Sequence, residues 1–70
     1  IHVSNRRGRY NMTIYLETNE KTDSEWVVLS LENGWYVVKH YVDSLPERKV
    51  RCDDFFAAVE YVKEWKSYFA

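Results

Sequence analysis

The sequence has little cysteine, glycine or proline: one, two and one of them in 70 residues. A single cysteine, Cys52, cannot form an internal disulfide, which argues against a disulfide-stapled secreted domain. The scarcity of glycine and proline, together with 30% charged residues, argues against linkers and low-complexity disorder. No apolar run approaches the roughly 18 residues of a membrane span. We therefore expect a soluble, cytoplasmic domain that does not interact with membranes.

Motifs for catalysis and metal binding are also missing. The chain has no CxxC or HExxH spacing for zinc, no glycine-rich phosphate loop and no nucleophile elbow. Cys52 precedes two aspartates, whose charge disfavours the thiolate, so it is interpreted as a small apolar residue at a strand end. His40 falls on an apolar strand face and is interpreted as a core or edge histidine. We expect a non-enzymatic protein without cofactor or metal.

What the chain does have is aromatic side chains: three Trp, six Tyr and three Phe. Seventy residues suffice for one hydrophobic core, and large rings supply much buried area per residue. The net charge is −1, so no global field attracts nucleic acid. Arginines cluster near the start, and residues 1–9 are predicted to be a flexible basic arm. Residues 10–70 are predicted to form the single domain.

The pattern predicts an antiparallel β-meander of three to four strands. Residues 10–16 alternate between apolar and polar, which is typical of a half-buried strand with Met12, Ile14 and Leu16 inward. Asn33-Gly34 separates the β-rich runs 26–32 and 35–42 and suits a two-residue type I′ hairpin. That turn fixes the register and makes both faces largely apolar. The first face carries Val27, Leu29, Leu31, Tyr36, Val38, His40 and Val42; the second carries Trp26, Val28, Ser30, Trp35, Val37, Lys39 and Tyr41.

A short basic strand over 48–52, at a sheet edge, and one C-terminal helix over 54–68 complete the predicted α+β domain. Asp53 or Asp54 caps the helix, because a carboxylate accepts the unpaired amide hydrogens of the first turn. The apolar arc of this helix is wider than one sheet face needs. The excess of apolar surface predicts a binding protein.

Two aromatic surfaces are candidate partner-binding sites. One candidate site is the sheet face that carries Trp26 and Trp35. The other is the edge of the helix, where aromatic residues recur at i, i+4 and i+7. The residues are Trp26, Trp35, Lys39 and Tyr41 on the sheet, and Tyr61, Trp65 and Tyr68 on the helix. Tyr and Trp are favoured in interfaces, but Trp65 equally suits the core. The function predicted is a protein-interaction module of adaptor or inhibitor type that binds a larger protein or its own copy, as a homodimer.

Nucleic-acid binding is the alternative, because exposed rings on a sheet stack unpaired bases while cations neutralise phosphates. The cations are Arg6, Arg7, Arg9, Arg48, Lys49 and Arg51. The run NGWYVVKHYVDSLPERKVRCDDFFAAVEYVKEW, residues 33–65, is similar in layout to the arm-DNA-binding domains of tyrosine recombinases, in which a sheet enters the major groove. The resemblance covers about half the chain. The chain departs from it in a less basic sheet face and an additional strand over 10–16. Small phage and plasmid proteins that inhibit or adapt larger machines resemble it in size and architecture.

Overall fold

The computed structural model describes residues 11–69, and the expectations for the arm at 1–9 and for Tyr10 lie outside them. The elements are β1 (Asn11–Thr18), β2 (Glu25–Glu32), β3 (Trp35–Val42), β4 (Leu45–Cys52) and a helix, α1 (Phe55–Lys66). Each strand pairs antiparallel with the next, in the order β1-β2-β3-β4. The predicted α+β meander followed by one C-terminal helix is confirmed within the described residues.

The hairpin between β2 and β3 has the predicted register, from Glu32 opposite Trp35 to Trp26 opposite Tyr41. Asn33 and Gly34 have φ values of 53° and 85°, as a type I′ turn requires. The next hairpin is equally tight, because Asp43 and Ser44 also have positive φ. For this reason β4 begins earlier than predicted. Its proline is tolerated because an edge strand need not donate every backbone hydrogen bond.

Replacing Gly34 with alanine is expected to lower the free energy of unfolding by about 1–2 kcal/mol, because a Cβ disfavours positive φ. A Cβ at Gly34 would meet no atom within 4 Å, so the loss would be backbone strain alone. Urea unfolding measures it as a lower midpoint at unchanged slope. Ser44→Gly is the matched control and is expected not to destabilise the chain. Equal midpoints for Gly34→Ala and the parent would contradict the assigned turn.

The helix α1 is held at both ends by hydrogen bonds that its sequence supplies. The Asp54 carboxylate accepts a hydrogen bond of 3.1 Å from the amide of Ala57, which confirms the predicted cap. At the other end, the Ser67 amide donates to the carbonyls of Glu64 and Lys63. The helix is thus shorter than the predicted 54–68. Within residues 11–69, no helix has the length and apolar character needed to cross a membrane.

The core lies between α1 and the first sheet face. The helix contributes Ala58, Val62 and Trp65, which recur at i, i+4 and i+7 and so point to one side. The sheet contributes Val27, Leu29, Val38 and Cys52. Burial and, next, the neighbouring Asp53 and Asp54 raise the pKa of the Cys52 thiol, so Cys52 is packed as an apolar residue. The backbone of α1 approaches β2, β3 and β4 but not β1.

A buried polar cluster closes the end of the core next to the loop that follows β1. His40 is 3% exposed, and its Nε2 lies 2.9 Å from Oε2 of Glu25. The other carboxylate oxygen of Glu25 accepts a hydrogen bond of 3.0 Å from the side chain of Asn19. Within the described residues the Nδ1 atom of His40 has no hydrogen-bond partner. The histidine is therefore a core residue, as interpreted from the sequence, and is tied to the neighbouring strand.

Candidate functional site

The second face of the sheet carries no helix in the described part of the chain, and we call it the open face. The register places aromatic and basic side chains from three strands on it. These residues are Trp26 of β2; Trp35, Lys39 and Tyr41 of β3; and Lys49 and Arg51 of β4. The predicted sheet set is therefore brought together on one surface, and two of the predicted cations join it.

The aromatic rings of the open face differ in how much of each ring is exposed to solvent. Trp26 and Tyr41 stack on each other, with ring centroids 5.1 Å apart and planes 18° from parallel, and both are half-buried. Trp35 is exposed, and the guanidinium carbon of Arg51 lies 4.7 Å from its ring centroid. Trp35 with Arg51 is therefore the more accessible stacking surface.

The cations of the open face are not fully neutralised. Lys39 and Lys49 lie directly opposite each other in the β3–β4 pair, an arrangement that like charges disfavour. Lys39 Nζ forms an ion pair of 2.8 Å with Oε2 of Glu32. This hydrogen bond is the main reason that the pKa of Glu32 is lowered and that of Lys39 raised. Lys49 takes part in none of the ion pairs among residues 11–69.

The register separates Arg48 from Lys49 and Arg51. Arg48 pairs with His40 and therefore lies on the helix side of the sheet. Its guanidinium carbon is 4.7 Å from the ring centroid of Tyr68. Arg48 thus belongs to the helix edge, while Arg6, Arg7 and Arg9 lie outside the described residues.

The helix edge divides into one core residue and two exposed residues. Trp65 is 7% exposed and belongs to the core, with its ring edge-on to Tyr61 at 5.6 Å. Tyr61 and Tyr68 are exposed. The Tyr68 hydroxyl donates a hydrogen bond of 2.9 Å to Glu64, which raises the pKa of that tyrosine. This edge therefore presents two exposed tyrosines, of which Tyr68 lies beside Arg48, while the indole of Trp65 is buried.

The prediction that Met12, Ile14 and Leu16 share one inward face of β1 is wrong. A bulge between Thr13 and Tyr15 shifts the register against β2, so Met12 lies opposite Leu31 but Leu16 lies opposite Val28. Because one inserted residue reverses the alternation, Met12 and Leu16 are on opposite faces of the sheet. They are 53% and 56% exposed. The strand is therefore apolar and exposed rather than half-buried.

A groove between β1 and α1 is the surface that the sequence pattern did not predict. It has a volume of about 340 Å³, and its lining is mostly apolar. The lining residues are Ile14, Tyr15, Leu29, Phe55, Val59, Val62, Lys63 and Lys66. A helix about 10 Å across cannot cover four strands spaced about 4.8 Å apart. The outermost strand, β1, is left without a helix over it, and this forms the groove.

One side chain spans the groove near the end of the helix. Lys66 Nζ lies 2.8 Å from Oε1 of Glu17 and donates a hydrogen bond of 3.2 Å to the hydroxyl of Tyr15. The Tyr15 hydroxyl in turn donates to Glu17. The hydrogen bond from Lys66 is the main reason that the pKa of Glu17 is lowered, and it raises the pKa of Lys66. The single charge of β1 is thus already paired.

Comparison with known proteins finds no match to this chain among protein-family models, curated proteins or solved structures. Arguments about function therefore depend on the surfaces described above.

Proposed function

We propose that this chain is a non-enzymatic protein-interaction module that binds through β1 and the groove between β1 and α1. The observation that carries this proposal is the gathering of exposed apolar side chains there. They come from both the strand and the first turn of the helix: Met12, Ile14, Tyr15, Phe55 and Phe56, while the exposed Leu16 lies on the other face of β1. Isolated exposed apolar residues are common on protein surfaces, but a contiguous group is typical of an interaction site.

The energetic argument favours a protein partner for this surface. Burying one large aliphatic or aromatic side chain stabilises a complex by about 1.5–3 kcal/mol, and an apolar strand beside a groove can place several such side chains in one contact. Tyr61 and Tyr68 lie on the opposite flank of α1, beside β4, and remain candidates for a separate contact. The shared feature of both regions is apolar surface that one helix cannot cover.

A photo-crosslinking residue in place of Phe56, which is 75% exposed, tests the protein-binding proposal. We expect p-benzoylphenylalanine at this position to form covalent adducts with a protein, either another copy or a different chain, on irradiation in cells. The same residue in place of the exposed loop residue Asp23 is the matched control and is expected to give none. Absence of adducts at position 56, with the variant folded, would contradict the proposal.

The open face favours nucleic-acid binding as a second candidate function. Lys39, Lys49 and Arg51 share that face with the exposed ring of Trp35, and among the strand residues that pair in residues 11–69 the one acidic group on that face is Glu32. Cations next to an exposed ring are the elements that hold single-stranded nucleic acid. The formal charge of −1 belongs to the whole chain, whereas this face alone has more positive than negative groups.

Titration of a labelled single-stranded oligonucleotide at several salt concentrations tests the second candidate. Trp35→Ala is expected to weaken binding by about 1–3 kcal/mol at every salt concentration, because a stacking surface is lost. Lys49→Ala is expected to reduce the slope of log K against log salt by about one, because one phosphate contact is lost. The control is Lys21→Ala, which removes an exposed loop lysine and should change neither. No binding at low salt would remove this candidate.

A further inference from the structure

The two edges of the sheet differ in their protection against strand pairing. On β4, the residues Pro46, Glu47, Arg48, Lys49 and Arg51 combine a missing backbone donor with a dense run of charge. Proline and charged side chains are the features by which proteins prevent other strands from joining a sheet edge. The β4 edge is therefore not expected to take an additional strand.

The outer edge of β1 lacks these features. Its eight residues, NMTIYLET, include no proline and a single charged residue, Glu17, which Lys66 neutralises. No strand among residues 11–69 pairs with this edge. Exposed apolar side chains lie on both faces of β1, so a strand added there would bury apolar surface on both sides while satisfying backbone groups. This edge is suited to strand addition.

The bulge in β1 determines which residues lie on each face of the strand, and an added strand must match that arrangement. Register with β2 places Met12, Tyr15 and Glu17 on the helix side of the sheet, opposite Leu31, Leu29 and Val27, respectively. The remaining paired residues lie on the open side: Asn11, Thr13, Leu16 and Thr18. A second strand must match this pattern face by face, because directly opposed residues in a sheet share a face.

The strand that matches is β1 itself, turned antiparallel about a two-fold axis between Ile14 and Tyr15. Thr13 then lies opposite Leu16 of the second copy, and Met12 lies opposite Glu17 of the second copy. Asn11 likewise meets Thr18 of the second copy, so all eight residues overlap and each of these pairs shares a face. A shift of one residue would place residues of opposite faces against each other. The bulge, located at the axis, therefore allows this pairing and excludes a one-residue shift, while a shift of two residues would pair Asn11 with Leu16 over six residues instead of eight.

We propose that two copies of this chain associate through β1 to form one continuous eight-stranded sheet. The inference rests on the proposed function, because it names a second copy as the partner at this surface. The interface is isologous, as expected for a symmetric dimer. Glu17 meets Met12 of the other copy, so no like charges are opposed across the axis. The predicted homodimer thus uses β1, and Tyr61 and Tyr68 of the helix edge lie outside the contact.

Sedimentation of the full chain over a range of concentrations tests the association. We expect the parent to sediment as a dimer and Ile14→Lys to sediment as a monomer that is still folded by circular dichroism, because two lysines would lie near the axis. Leu45→Lys is the matched control: Leu45 is 67% exposed on the protected edge, and its replacement is expected to leave the dimer intact. A strictly monomeric parent would overturn the proposal.

Cysteine crosslinking tests the register. In the double variant Thr13→Cys with Leu16→Cys, opposed Cα atoms are expected about 4.5–5.5 Å apart, within reach of a disulfide. Oxidation should therefore link two copies completely. A second double variant, Asn11→Cys with Leu16→Cys, offers no directly opposed pair and is expected to link poorly. A dimer with no link between positions 13 and 16 would overturn the β1 register.

The photo-crosslinking residue at position 56 separates failure of this inference from failure of the proposed function. A monomeric parent that still forms an adduct with a different protein would refute the dimer alone. A monomeric parent without any adduct would remove both. A dimer that forms the disulfide between positions 13 and 16 of its two copies supports both at once.

Discussion

Replacing Trp65 with alanine is expected to remove a large fraction of the free energy that stabilises the folded chain. The indole lies in the core with Ala58 and Val62, and removing a buried large aromatic costs about 3–5 kcal/mol. A chain of 70 residues is stabilised by only about 4–10 kcal/mol in total. The predicted loss is therefore at least about a third of the whole stability.

Circular dichroism and urea unfolding check this expectation. Phe56→Ala is the matched control, because it truncates an aromatic residue on the same helix that is 75% exposed; its effect is expected to stay within about 0.5 kcal/mol. Trp65→Phe, which keeps a ring in the core, should recover a large part of the stability. A Trp65→Ala protein as stable as Phe56→Ala would contradict the assignment of Trp65 to the core.

Replacing Glu25 with alanine is expected to lower the free energy of unfolding by about 1–3 kcal/mol for each buried hydrogen bond that the replacement removes. His40 loses the carboxylate 2.9 Å from its Nε2, and Asn19 loses the acceptor of its side-chain hydrogen bond. The thermal midpoint should fall by about 4–8 °C for each kcal/mol lost. Glu20→Ala, in the exposed loop nearby, is the control and is expected to have almost no effect.

A double replacement distinguishes pairing from mere packing in this cluster. If the loss in Glu25→Leu comes from an unpaired His40, then Glu25→Leu combined with His40→Leu should be more stable than Glu25→Leu alone, because removing both partners of a buried pair is far less costly than removing one. Additive losses in the double variant would show that the two residues contribute independently.

The fold could be predicted largely because its strongest signals are local. Asn33-Gly34 determines a two-residue turn, the turn determines the β2–β3 register, and the register determines which residues share a face. The cap at Asp54 is local in the same way. The start of β4 differs from the prediction because Asp43 and Ser44 adopt positive φ, a conformation that residues other than glycine adopt less readily.

The exposed surfaces are harder to predict because they depend on which parts of the helix and the strands pack against each other. The alternation in β1 is regular in the sequence, and only pairing with β2 reveals the bulge at Ile14. The groove beside Val59 exists because α1 lies away from β1. The position of the helix over the sheet is a matter of tertiary packing, and no local sequence pattern indicates it. Helical spacing groups Trp65 with Tyr68, yet packing buries the first and exposes the second.

The unequal edges of the sheet also limit how far assembly can proceed. Once two β1 strands are joined, both outer margins of the enlarged sheet are β4, with Pro46 and its neighbouring charges. In the proposed dimer, residues 11–69 offer no other unprotected strand for a third copy, so growth is expected to end at two copies instead of continuing as a fibre. The proline and the charged residues of β4 would therefore limit the assembly to a dimer, although the exposed edge of β1 favours strand pairing. Replacing Pro46 together with Lys49 would remove this protection, and the dimers would then be expected to add to one another at β4.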